Sequence, residues 1–100
     1  MQFDPLAPLA AIDPGLRERV RKNGELVYAD GALPRKIKLL VAMAFDAEHG
    51  AVRGVSSLIK QAKEAGATNN EIAEVLRVAA HLTGVGCLFT ASDALKALEE

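Results

Sequence analysis

The side chains that could do chemistry in this sequence are few and widely spaced. There are two histidines, His49 and His81, and one cysteine, Cys87. His49 follows Asp46 and Glu48 in the stretch DAEH. A histidine with an ordinary pKa of about 6.5 beside a carboxylate could act as a general acid or base. The alternative interpretation of His49 is a loop histidine that caps the end of a helix.

Three polar residues after His49 could contact a ligand. Arg53 has a planar guanidinium that could bind a carboxylate, although a solvated arginine on a helix surface fits the same pattern. Ser56 and Ser57 could donate hydrogen bonds, but neither is predicted to be a nucleophile because no base is positioned beside them. The candidate ligand-binding residues in this segment are therefore Arg53 and Ser57.

His81 and Cys87 complete the set of candidates. His81 lies in an alanine-rich stretch and is predicted to be a satisfied core or interface residue, with the lining of a ligand pocket as its alternative role. Cys87 opens the last predicted helix, where backbone amides could stabilise a thiolate; a buried small hydrophobe is the competing interpretation. One cysteine excludes an internal disulfide or a Cys-x-x-Cys pair. Since His49, His81 and Cys87 share no metal-ligand spacing, no metal and no cofactor is expected.

The segments that must position these side chains all show helical periodicity, and none shows the alternation of a strand. Five helices are predicted, over about 13–29, 35–48, 50–64, 68–82 and 87–98. Asp13 before Pro14 is a strong helix start, Gly66 is a C-terminal cap, and Thr68 with Glu71 has the T-x-x-E form of a capping box. The predicted fold class is an all-α bundle of about five helices.

Each predicted helix has an apolar face that is expected to be buried. The basic residues Arg35, Lys36 and Lys38 are interpreted as a solvated helix start. The expected core residues, from the first to the fourth helix, are Leu16, Val20, Leu26 and Val27; Ile37, Leu40, Val41 and Ala44; Ala51, Val55, Leu58, Ile59 and Ala62; and Ile72, Val75, Leu76 and Ala79.

Length and composition set the remaining limits. The chain of 100 residues allows one domain, predicted at 13–100, preceded by an extended or partly ordered arm at 1–12 that contains two prolines. Its 12 basic and 13 acidic residues give no charge that would attract nucleic acid. No signal peptide or membrane span is recognisable, which predicts a cytoplasmic protein. Eighteen alanines imply a thin core, so we expect identical subunits to cover part of the apolar surface.

The order LPRKIKLLVAMAFDAEHG, a further helix, and then EAGATNNEIAEVLRVAAHLTGVG resembles the carboxymuconolactone decarboxylase and AhpD-like alkylhydroperoxidase family. The resemblance covers about residues 16–98. Its most specific part is the LPxK helix start at 33–36 combined with EAGAT at 64–68 and the EI that follows. It implies an AhpD-like helical fold and a homo-oligomer, either a trimer or a hexamer.

The AhpD-like branch uses a glutamate after LPxK to assist a Cys-x-x-Cys-x-x-x-His motif on the next helix, where the second cysteine attacks the peroxide. This chemistry needs a thiolate with a lowered pKa and a resolving thiol one turn away. The resemblance places the glutamate at Leu39, the cysteines at Ala51 and Gly54, and the histidine at Leu58. These four motif positions lack any nucleophile, so no thiol peroxidase activity is expected. The decarboxylase branch also has a histidine at the position of Leu58.

Two functional hypotheses follow. In the first, the chain is a degenerate family member that has lost the chemistry and binds a small acidic or lactone-type molecule, or serves only as a structural oligomer. In the second, it is an active enzyme of the decarboxylase type, a lyase rather than a peroxidase. His49 would then act as the acid or base, and Arg53 or the serines would hold a carboxylated substrate. The residues alone slightly favour the first hypothesis.

Overall fold

The computed structural model of the chain describes residues 6–99, and every regular element in that range is helical. A short 3-10 helix, Ala7–Ala11, precedes five α-helices. The prediction of an all-α fold is confirmed, and each predicted helix boundary lies within two residues of the observed one. The helices are α1 (Pro14–Val27), α2 (Arg35–Glu48), α3 (Val52–Glu64), α4 (Asn69–Thr83) and α5 (Gly86–Glu99).

Local signals in the sequence determine where these helices begin. The Asp13 carboxylate accepts hydrogen bonds from the amides of Gly15 at 3.0 Å and Leu16 at 3.2 Å, which satisfies two donors of the first turn of α1. At the start of α4, the Thr68 hydroxyl accepts from the Glu71 amide at 3.1 Å and the Glu71 carboxylate accepts from the Thr68 amide at 2.9 Å. Both predicted caps are therefore confirmed.

Removing the hydroxyl of the α4 cap is expected to destabilise the fold measurably. Thr68→Ala leaves the Glu71 amide without its acceptor, which should lower the free energy of unfolding by about 1 kcal/mol. Urea denaturation followed by circular dichroism measures this change. Asn70→Ala is the matched control, because Asn70 is exposed in the same turn; a loss as large in the control would contradict the assignment.

Glu71 should also make stability depend on pH. The Thr68 backbone amide first, and the Lys36 ammonium second, hold the pKa of Glu71 below its usual range. Because its folded-state pKa is lowered, the Glu71 carboxylate stabilises the fold at pH values above its unfolded-state pKa. This stabilisation is lost as the pH falls through the folded-state pKa. The stability difference between the native chain and Glu71→Gln should therefore be full at neutral pH and shrink below about pH 4. A difference that does not change with pH would count against this role.

The core lies where α2 and α3 pack together, with α4 and α5 completing the bundle. Its largest fully buried side chains are Leu39, Met43, Val55 and Ile59. Most residues predicted for the core of α3 and α4 are buried as expected. The buried core residues are Leu39, Leu40, Met43, Ala47, Val55, Leu58, Ile59, Ala62, Ala67, Ile72, Leu76, Ala79, Cys87, Ala91 and Ala94.

The predicted core face of α2 is displaced by part of a turn, although Leu40 is buried as predicted. Val41 is exposed, and Ile37 and Ala44 are only half-buried, whereas Leu39, Met43 and Ala47 are buried. The reason is that α2 is apolar over two adjacent faces, so spacing alone fits either of them. The face that contains Leu39 packs into the bundle, and the face that contains Val41 does not.

The basic residues at the start of α2 were predicted to be solvated, but each of them makes a contact within the chain. The Lys36 ammonium forms an ion pair with Glu71 at 2.9 Å. The Lys38 ammonium donates to the Ala29 carbonyl at 2.7 Å, and the Arg35 guanidinium donates to the Gln61 side-chain oxygen at 3.3 Å. These contacts tie the start of α2 to α3, to α4 and to the preceding loop.

The N-terminal part of the chain differs most from expectation. Residues 7–11 form a 3-10 helix rather than an extended arm, and α1 packs chiefly against that helix. No residue of α1 is buried, so the predicted burial of Leu16, Val20, Leu26 and Val27 is wrong within this chain. The pattern of α1 is amphipathic as predicted, but its apolar side chains are exposed rather than buried.

The chain exposes more surface than a compact domain of its size does. The chain of 10.6 kDa has an accessible surface of 6992 Å², whereas a compact monomer of that mass exposes about 5,500 Å². Its radius of gyration of 14.1 Å likewise exceeds the roughly 12.7 Å expected for a compact domain of this length. Across residues 6–99, no helix is long and apolar enough to cross a bilayer.

Candidate functional site

The four positions at which the resemblance places the family motif lie where α2 meets α3. Leu39 on α2 and Leu58 on α3 are both buried in the bundle core, and Leu39 has no exposed surface. Ala51 is the N-terminal cap residue of α3, and Gly54 lies in its first turn. The aliphatic side chains at 39 and 58 are therefore used for packing, and no ionisable group stands at any of the four positions.

Asp46 occupies the space beside Gly54. A Cβ atom added at Gly54 would collide with the Asp46 carboxylate, so the absence of a side chain at 54 is what lets this carboxylate lie against α3. The Asp46 carbonyl also accepts from the Ala51 amide at 2.9 Å. From the sequence, Asp46 could be placed only near His49. Its contact with Gly54 depends on how α2 crosses α3, and no pattern of neighbouring residues predicts that crossing.

His49 ends α2 and faces solvent. Its amide donates to the Phe45 carbonyl at 3.0 Å, which confirms the interpretation of His49 as the residue that caps this helix. The imidazole is 68% exposed, and its Nε2 atom lies 3.3 Å from a Glu48 carboxylate oxygen. The turn to α3 continues through Gly50 with φ of +76°, a conformation that favours glycine.

The other polar candidates on α3 divide into two groups. Arg53 is exposed in the first turn, in a helix whose cap residue Ala51 offers no side-chain acceptor to the free amides. Ser57 is exposed and accepts a hydrogen bond from the Gln61 amide group at 3.0 Å. Ser56 donates to the Ala94 carbonyl at 2.8 Å and so links α3 to α5. Arg53 and Ser57 are thus the exposed residues of this group, and Ser56 is part-buried.

His81 lies on α4 and Cys87 lies on α5, so neither belongs to the start of α3. His81 is exposed on α4, so its predicted burial as a core residue is wrong for this chain, while an interface role stays a prediction. Cys87 is only 4% exposed within the apolar core, which confirms the interpretation of a buried small hydrophobe. Residues 6–99 contain no group of three or more histidine, cysteine, aspartate or glutamate residues able to hold a metal.

A concave feature lies between α2 and α4. This apolar groove has a volume of about 380 Å³. Its single polar lining group, the Thr83 hydroxyl, donates to the Ala79 carbonyl at 2.8 Å and is not directed at a ligand. Several residues that the sequence assigned to the core line the groove instead. The groove is lined by Ile37, Leu40, Val41, Ala44, Phe45, Val75, Val78, Ala79, Leu82 and Thr83.

Comparison with known proteins decides the family. The model of the carboxymuconolactone decarboxylase family matches residues 14–100. The chain belongs to this family. Uncharacterized protein 4 in the cox locus of Paracoccus denitrificans is 34% identical over 76 residues, which are 76% of this chain and 68% of that protein.

A solved structure supports the family fold. The crystal structure of the apo form of a carboxymuconolactone decarboxylase family protein from Legionella pneumophila matches with a TM-score of 0.82 and 29% sequence identity. The match covers 94% of this chain and 84% of the Legionella protein. It extends over nearly the whole chain, so the expected family fold is confirmed.

Within this carboxymuconolactone decarboxylase family member, polar groups lie at the end of α2 and in the first turn of α3. His49 is paired with Glu48, Asp46 lies against Gly54, and Arg53 is exposed in the first turn of α3. Two basic groups and the positive end of the α3 dipole favour an anion there, and two carboxylates oppose it. The groups at this place are a guanidinium, an imidazole and two carboxylates, and none of them is a thiol that could reduce a peroxide.

Proposed function

We propose that this carboxymuconolactone decarboxylase family protein binds a small acidic or lactone-type molecule at the α2–α3 end and does not act as a thiol peroxidase. The observation that carries the proposal is the placement of its one cysteine. Cys87 is buried among apolar residues on α5, whereas the motif positions on α3 are Ala51 and Gly54. Peroxide reduction needs an accessible thiolate.

Binding at this end is supported by the charges around the first turn of α3. Arg53 offers a planar guanidinium suited to a carboxylate or to the ester oxygens of a lactone. The α3 amides have no side-chain cap and present their partial positive charge in the same direction. His49, the C-terminal cap residue of α2, has its imidazole exposed, where it can donate to an acidic ligand when protonated.

A peroxide assay tests the negative half of the proposal. Purified protein with dithiothreitol and tert-butyl hydroperoxide should consume peroxide no faster than dithiothreitol alone, and Cys87→Ala should change nothing. The reason is that the reductant and the peroxide both need contact with a thiol that is shielded by the core. A rate above background that disappears in Cys87→Ala would overturn this half.

A ligand screen tests the positive half. Thermal shift measurements with small aliphatic dicarboxylates and γ-lactones should give a saturable rise in melting temperature for at least one compound, because a ligand that binds only the folded state stabilises it. The matched uncharged diols are the controls. Equal shifts with the diols, or no shift with any acid or lactone, would contradict a site for acidic molecules.

The second candidate function is a decarboxylase-type reaction with His49 as acid or base. It is favoured by one observation, the exposed imidazole 3.3 Å from the Glu48 carboxylate, which is the pairing that general acid–base catalysis uses. Turnover of a screened acid or lactone, with a pH profile that His49→Gln abolishes, would establish this function over binding alone. Binding without turnover would favour the first proposal.

A further inference from the structure

Asp46 differs from the other half-buried acidic residues of the described chain because its carboxylate has no partner. The half-buried acidic residues within 6–99 are Asp13, Glu18, Asp46 and Glu71. The other three each accept a hydrogen bond from a backbone amide or a basic side chain. The Asp46 carboxylate accepts none from any residue in that range and forms no ion pair with one. Its partial removal from water is therefore not compensated by a donor within the described chain.

The Asp46 carboxylate lies in a notch that a glycine leaves in α3. A Cβ atom at Gly54 would overlap the Oδ2 atom of Asp46 and lie 2.9 Å from its Cγ atom, so a side chain at this position would displace the carboxylate. Solvent still reaches the carboxylate oxygens, since no half-buried or buried residue of 6–99 has a side-chain oxygen that is both sealed from solvent and unpartnered. The carboxylate is thus held against α3 and remains accessible to a small molecule.

The chemistry of the two neighbouring charges defines what such a molecule must offer. An ionised carboxylate can only accept hydrogen bonds, so the group that Asp46 lacks is a donor. Arg53 directly precedes Gly54, which puts the Cα atoms of these two residues about 3.8 Å apart, and its guanidinium suits a ligand carboxylate. The first turn of α3 therefore has an unpartnered acceptor against one position and a cation at the position before it.

We propose that the ligand of the α2–α3 end is a hydroxy acid, whose carboxylate binds Arg53 and whose hydroxyl donates to Asp46. This inference rests on the proposed function, because it narrows the acidic or lactone-type molecule to one that carries a hydroxyl. Hydrolysis of a lactone gives a hydroxy acid, so one compound accounts for both ligand types. Asp46 then determines specificity: its charge repels an acid without a donor and binds an acid that has one.

A hydroxyl fits this place better than an ammonium group, the other donor that a carboxylate accepts. An amino acid would bring a second positive charge beside Arg53, whereas a hydroxyl donates to Asp46 without adding charge. Calorimetry with aspartate separates the two donors, because aspartate and malate differ only in carrying an ammonium or a hydroxyl. Tighter binding of aspartate than of malate would overturn the assignment of a hydroxy acid.

A pair of dicarboxylates that differ by one hydroxyl tests the proposal. Isothermal titration calorimetry should show that the native chain binds one enantiomer of malate about tenfold more tightly than succinate, because only malate donates to Asp46. Asp46→Asn should reduce this ratio to within about threefold, since it weakens the bond to the hydroxyl and removes the charge that repels succinate. Asp93→Asn, at an exposed position of α5, changes the charge equally and should keep the ratio.

Gly54→Ala tests the position of the carboxylate without changing any charge. Its methyl group would take the place of the Asp46 carboxylate, so the ratio of the malate and succinate affinities should fall as in Asp46→Asn. Gly24→Ala on α1 is the matched control, because a Cβ atom there meets nothing within 4 Å. This control should keep the ratio, and circular dichroism should show that both glycine variants are folded.

The outcomes separate this inference from the proposed function on which it rests. Equal binding of malate and succinate by the native chain would overturn the hydroxy acid and leave an acidic ligand in place. A preference for malate that persists unchanged in Asp46→Asn or in Gly54→Ala would show that Asp46 does not read the hydroxyl, which also overturns the proposal. Failure of the native chain and of every variant to bind either acid would overturn both the hydroxy acid and the proposed function.

Discussion

Leu39→Glu, which introduces an acidic residue where the resemblance places the glutamate of the family motif, is expected to unfold the bundle at neutral pH. Leu39 is fully buried in the core. Loss of its side chain alone costs about 2 to 5 kcal/mol, and an unpaired buried carboxylate adds several more. The sum approaches or exceeds the roughly 5 to 15 kcal/mol that stabilises a typical domain. Far-ultraviolet circular dichroism and thermal melting measure the outcome.

The pH dependence of this variant gives a second measurement. Burial would raise the pKa of the new carboxyl above its unfolded value, so the folded state would bind more protons and stability would increase as the pH falls. Partial recovery of the fold near about pH 4.5 is therefore expected. Leu26→Glu on the exposed side of α1 is the control and should melt like the native chain. A Leu39→Glu variant as stable as this control would mean that the position can hold a carboxylate.

The helices of this protein could be predicted from its sequence because their signals are local. Asp13, Thr68 and Glu71 satisfy amides within a few residues of themselves, and these contacts form as the spacing predicts. The residue types at the positions where the resemblance places the family motif could also be read directly from the sequence. The first inference needs only neighbouring residues, and the second needs only the alignment of the sequence with the family motif.

The choice between two apolar faces could not be predicted, because it depends on partners that are distant in sequence. On α2, Leu39 and Val41 are equally plausible core residues until the position of α3 is known. On α1, periodicity predicts that Val20 is buried, whereas within this chain it is exposed. The contact of Asp46 with Gly54 has the same origin, since only the α2–α3 crossing brings the carboxylate to a glycine eight residues away.

Binding at the α2–α3 end should respond in opposite directions to two neighbouring substitutions. Arg53→Ala is expected to weaken the binding of a small dicarboxylate about 10-fold to 100-fold, since a charge-assisted hydrogen bond contributes roughly 1.5 to 3 kcal/mol. Asp46→Asn should strengthen it several-fold, because it removes a like charge that lies against the first turn of α3. Isothermal titration calorimetry with the best compound from the ligand screen measures both changes.

Two controls separate this result from general effects of charge. Arg77→Ala removes an arginine that is exposed on α4, so it changes the net charge as Arg53→Ala does and should leave the affinity within about twofold, because exposed charges farther apart than roughly 10 Å are screened at ordinary salt. Arg53→Lys should keep the charge but lose the bidentate geometry, and its affinity should fall between those of the native chain and Arg53→Ala. If Arg77→Ala and Arg53→Ala weaken binding equally, the ligand responds to the overall charge of the protein, and the site at the start of α3 is wrong. If Asp46→Asn weakens binding, its carboxylate contacts the ligand, and an acidic molecule is the wrong ligand class.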